Sequence, residues 1–71
     1  MNEKMDKILR ENPKGTIESV IGKRKEVLED NNRDNMVLLG IEVCLANAIN
    51  YSEYKGYITP SEAEEYKRLS Q

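Results

Sequence analysis

Seventy-one residues, 38% apolar, 34% charged and 6% aromatic, allow one small domain spanning 1–71 and no separate cofactor and substrate domains. Eleven Lys and Arg against thirteen Asp and Glu leave a formal charge of −2. The basic excess with which a stand-alone nucleic-acid binder neutralises phosphates is missing, so direct nucleic-acid binding is not expected. With one cysteine and no histidine, neither an internal disulfide nor a zinc site has its ligands.

The chain begins Met1-Asn2-Glu3-Lys4-Met5-Asp6 with no uninterrupted apolar run behind it, which does not read as a secretory signal. Met5, Ile8 and Leu9 follow the i, i+3, i+4 pattern and predict a short amphipathic helix over 3–12. Asn12-Pro13-Lys14-Gly15 stops it, because the residue before proline avoids the α region. Thr16 is then placed to cap a second helix over 16–30, with Ile17, Val20, Ile21, Val27 and Leu28 inward. The gap at Arg24 is bridged by the aliphatic stem of that side chain, and Asn31-Asn32 marks the next break.

The third segment, 34–55, is apolar around nearly its whole circumference, with a narrow polar stripe of Asn35, Glu42 and Glu53. Such a helix is expected to be buried on several sides. Its most apolar stretch, 36–49, is shorter than the ~20 residues of a membrane span and contains Glu42 and Asn47. A soluble, cytoplasmic protein without a membrane partner is therefore expected. Gly56 is placed as the left-handed residue that ends this helix. In Ile58-Thr59-Pro60-Ser61-Glu62-Ala63, threonine, proline and glutamate spell a capping box, with Ile58 and Ala63 set for a hydrophobic staple. The last helix covers 60–69, with Ala63, Tyr66 and Leu69 inward. No segment alternates with period two. The fold class is all-α, a small bundle of three to four helices around one long central apolar helix.

Gly40, Cys44, Ala48 and Ser52 recur every fourth residue on that helix. Small side chains in such a row let another helix approach closely. The row is either the bed of the second helix or a seam for self-association or a partner. A 22-residue helix spans ~33 Å, more than its neighbours can cover, and chains this small commonly oligomerise, so a homodimer is favoured. Asn47 lies on the broad face of Met36, Gly40, Val43 and Tyr51, where a buried amide can set the register of an assembly; equally, it can lie at an exposed edge or bond to a nearby loop. Cys44, amid apolar and small neighbours and without an activating base, is expected to be a buried, inert core residue.

Tyr51, Tyr54, Tyr57 and Tyr66 gather around the last turn beside Arg68. Tyrosine and arginine are favoured interface anchors, but two or three of these rings can equally lock the fourth helix onto the third. Lys23-Arg24-Lys25 is the densest basic run, yet consecutive helical residues diverge by about 100° and cannot share a face. The carboxylates of Glu29, Asp30 and Asp34, and of Glu62, Glu64 and Glu65, fall at helix ends rather than in a cleft with separated pKa values. No enzyme activity, cofactor or metal is expected.

The segment Thr16-Ile17-Glu18-Ser19-Val20-Ile21-Gly22-Lys23-Arg24-Lys25, continuing to Asp30-Asn31, resembles the second helix of Hha/YmoA-type nucleoid modulators. The likeness covers about a quarter of the chain and implies binding to a nucleoid-structuring protein partner. The long helix departs from that family, with Met36, Val37, Leu38 and Leu39 where aromatic residues stand near its start. The expected function is a non-catalytic protein-binding module, such as a small regulator or a phage-encoded inhibitor of a host protein. The alternatives are a nucleic-acid-associated regulator acting through a partner, and a small-ligand binder at a dimer interface.

Overall fold

The computed structural model describes residues 2–71. Four helices follow one another, α1 (Glu3–Glu11), α2 (Pro13–Glu29), α3 (Asn35–Tyr54) and α4 (Pro60–Leu69), and no strand occurs among the described residues. The bundle is flattened, with principal extents of 37 × 25 × 15 Å.

Each helix start is held by a side-chain oxygen. Asn2 Oδ1 accepts from the Met5 amide at 2.9 Å, and Asp34 Oδ1 from the Met36 amide at 2.8 Å. Asn12 serves two helices at once. Its own N–H donates to the Ile8 carbonyl at 3.0 Å, closing α1, while its Oδ1 accepts from the Gly15 amide at 3.2 Å, opening α2. The second helix therefore begins at Pro13, three residues before the expected Thr16. Proline lacks only an N–H that the first turn leaves unpaired anyway. The Thr16 hydroxyl, freed from capping, donates back to the Asn12 carbonyl at 2.6 Å.

The capping box of α4 forms as read. Thr59 Oγ1 accepts from the Glu62 amide at 3.1 Å and Glu62 Oε1 from the Thr59 amide at 2.8 Å, with Ile58 and Ala63 both buried. Lys14 Nζ reaches Glu62 Oε2 at 2.5 Å, tying the start of α4 to α2. That ion-paired hydrogen bond, ahead of the Thr59 amide, holds the Glu62 carboxyl below its usual range.

Leu9, Ile17, Leu45, Ala48, Ile49, Ile58, Ala63 and Tyr66 form the core, so every helix contributes to it. The α3 packing differs from the expectation of burial on several sides. Its core arc is Leu45, Ala48, Ile49 and Ser52, and the opposite arc is left uncovered. Leu69, expected inward, is exposed, because α4 reaches its end there and only Ala63 and Tyr66 are held against the core. Cys44 is exposed as well, which corrects the expectation of burial. A row at i, i+4 advances about 40° per step around a helix of 3.6 residues per turn. The row Gly40, Cys44, Ala48, Ser52 thus winds from the outside to the core, its first two residues exposed and its last two buried.

Candidate functional site

Seven large apolar side chains are exposed among the described residues, and five of them, Met36, Val37, Leu39, Val43 and Tyr54, belong to α3. Tyr54 is 84% exposed, Met36 74% and Val43 52%. Met36, Gly40, Val43, Asn47, Asn50 and Tyr54 are spaced 4, 3, 4, 3 and 4 apart. That alternation keeps them within about 80° of one another on the side of α3 away from the core. None of the six is charged. Glu42 and Glu53, the acidic groups of the helix, lie to one flank.

The first turn of α1 forms a wall beside this stripe. Asn2 and Met5 bound a groove of about 860 Å³ whose floor includes Gly40, Val43, Asn47 and Tyr54. The groove offers apolar area and two primary amides, Asn47 and Asn50, each able to donate and accept. It presents no carboxylate or cationic side chain; its ionisable groups are the Tyr51 and Tyr54 phenols and the Cys44 thiol at its edge.

The other residues singled out in the sequence serve elsewhere. Ala48 is in the core at 3% exposure. Tyr51 and Tyr57 are half-buried, their rings 6.3 Å apart and edge-on, and both hydroxyls donate to Asp6 Oδ1, at 2.5 and 2.7 Å. These two rings lock α1, rather than α4, onto α3 and the turn after it. Tyr66 is buried and its hydroxyl donates to Glu18 Oε2 at 3.1 Å, locking α4 onto α2. Burial, then the Glu18 carboxylate, pushes its phenol above the ordinary value. Arg68 is exposed and pairs with Glu65 one turn away. Only Gly40, Cys44, Asn47 and Tyr54 of the expected interface remain on the free face. Asn50 was missed there, although the 4–3 spacing through Met36, Gly40, Val43 and Asn47 was a signal for it; Val37 and Leu39, also missed, lie off that stripe.

The Asp6 tie has a pH signature. The hydrogen bonds from Tyr51 and then Tyr57 lower the Asp6 carboxyl below its usual value, and the Asp6 bond raises Tyr51 to about 12. A carboxyl depressed in the fold stabilises it above the unfolded value and loses that contribution as pH falls through the folded one. A phenol raised in the fold stabilises it fully below about pH 10 and loses that contribution as pH rises towards about 12. The melting temperature is therefore expected to fall at both extremes. Replacing Asp6 by alanine should flatten both limbs, read by circular dichroism from pH 2 to 12. A phenolate signal from Tyr51 appearing near pH 10, assigned by difference from Tyr51→Phe, would contradict the tie.

No family profile, curated protein sequence or solved structure matches this chain. The functional reading accordingly rests on its own surface. Among the described residues no group of three or more His, Cys, Asp or Glu is placed to hold a metal ion. No helix is long and apolar enough to cross a membrane.

Proposed function

We propose that this chain is a non-catalytic helical module that works by binding protein through the outward face of α3, in the manner of a small regulator or inhibitor. One observation supports the reading above the others. Among the described residues, five of the seven exposed large apolar side chains stand on one helix, and the stripe at the centre of that face carries no charge in a chain that is 34% charged. Scattered apolar residues are ordinary on a surface, whereas a contiguous uncharged stripe marks a surface that another molecule covers. The Asn47 and Asn50 amides supply hydrogen bonds inside that stripe, where apolar contact alone would leave register undefined. The Tyr66–Glu18 tie fastens α4 to α2, and the Asp6 tie fixes the first turn of α1 as the wall of the groove.

Val43→Glu tests this. Val43 is half-exposed and outside the core, so in dilute solution, with both chains single, the variant should melt as the parent does. A carboxylate pressed into an apolar contact costs several kcal/mol, enough for at least a ~100-fold loss of affinity. Tagged parent and variant, incubated with extract from the cells that express the protein, should differ in what they retain. Identical retention would count against the face.

A further inference from the structure

We propose that the occupant of this face is a second copy of the same chain, with the two α3 helices packed antiparallel about a two-fold axis level with Leu45. The proposal rests on the protein-binding reading above and names its partner. Around that axis Met36 meets Tyr54 of the second copy, Gly40 meets Asn50, and Val43 meets Asn47. Every residue of the stripe is used and none is left over. Each layer sets a larger side chain against a smaller or more pliable one. Two-fold symmetry asks a surface to complement itself, and an uncharged stripe does so without bringing like charges together.

Three further features favour a second copy in this orientation. The accessible surface is 5067 Å² for 8.2 kDa, against about 4,500 Å² expected of a compact monomer of that mass. Covering that excess, roughly 500 Å² on each copy, would bring the buried total to about 1,000 Å², the lower bound for a specific interface. Gly40 stands mid-helix where an added Cβ would meet nothing within 4 Å. It therefore does no packing work within its own chain, and across the axis it gives the Asn50 side chain of the second copy room to lie flat against the backbone. Antiparallel order also sets the Asp34 end of α3 beside the Lys55 end of the other copy and opposes the two helix dipoles. Parallel order would stack Asp34 on Asp34 and Lys55 on Lys55. Near the axis the two Asn47 amides stand about 6 Å apart along the helices, close enough to bond to each other and fix the register.

The test combines mass with orientation. Sedimentation equilibrium at about 100 µM should give the parent twice its chain mass and Val43→Glu the single-chain mass, with helical spectra alike. Then, with Cys44→Ser to remove the native thiol, Met36→Cys and Tyr54→Cys proteins are oxidised separately and mixed. The two ends of α3 lie about 27 Å apart, so either protein alone should give no disulfide-linked dimer, and the mixture should give one in good yield. A linked dimer from Met36→Cys alone would overturn the antiparallel order, and a dimeric Val43→Glu would place the interface elsewhere. A parent monomeric throughout would overturn the second copy. If that monomer still retains another protein in a Val43-dependent way, the protein-binding reading stands without it. If retention is also indifferent to Val43, both fall.

Discussion

Leu45→Ala should lower the unfolding free energy by about 2–5 kcal/mol, whereas Leu39→Ala, the same deletion six residues earlier on the same helix, should leave it nearly unchanged. Leu45 is 2% exposed, in the middle of the core arc of α3 with Ile49 and Ala48. Losing its three carbons removes buried apolar area and leaves a cavity that four short helices cannot fill without breaking their caps. A chain of this length is stable by about 4–10 kcal/mol, so the loss takes roughly a fifth of the total at the least and all of it at the most. Leu39 is 56% exposed on the outward face, and alanine there gains slightly in helix propensity. Urea titrations followed by helical circular dichroism, at a concentration low enough to keep the chain monomeric, measure both. Equal costs at the two positions would mean that the core and outward arcs of α3 have been assigned to the wrong sides.

Gly56→Val should cost about 2 kcal/mol or more, and the loss should reach well beyond the turn. Gly56 has φ 77°, the left-handed region that a β-branched residue enters only under strain. Two hydrogen bonds depend on that conformation: the Gly56 amide donates to the Glu53 carbonyl at 3.0 Å, and the Tyr57 amide to the Ser52 carbonyl at 2.8 Å. Together they close α3 in a Schellman motif. The same turn aims Tyr57 at Asp6 and Ile58 into the core. Relaxing the backbone strain would therefore release the α1 tie and the staple of α4 together. The expected signature is a lower melting temperature with weakened amide protection in α1 as well as in the last turn of α3. A variant as stable as the parent would show that the turn has another low-energy form.

Local chemistry was readable in the sequence wherever a device fits within a few residues. The Thr59–Glu62 box, the Gly56 terminator and the four helical segments are of this kind, since each depends on neighbours in the chain. Asn12 misled because one residue closes α1 with its backbone N–H and opens α2 with its side chain, leaving no gap for Thr16 to cap. The tyrosines misled for a different reason. Asp6 lies 45 residues from Tyr51 and 48 residues separate Glu18 from Tyr66, and no spacing rule connects groups so far apart. On α3 the pattern was ambiguous in itself. Its apolar residues fill two opposite arcs, and periodicity cannot say which of two apolar arcs receives the neighbours. The small-residue row drew attention to a line that winds from one arc into the other, which is why it mixed Cys44, on the outside, with Ala48, in the core.

Cys44 gives the most direct reading of the central claim, that the outward face of α3 is covered by a second copy. Its thiol is exposed at the edge of the groove in the single chain, and the antiparallel pairing brings the two Cys44 side chains to the same side of the axis, flanking the contact. The measurement is the rate at which a thiol reagent in excess modifies the native protein, taken from the lowest workable protein concentration to the highest. The rate should be fast in dilute solution and fall several-fold as concentration rises, with Val43→Glu staying fast throughout. A single rate at every concentration, shared by parent and variant, would contradict it.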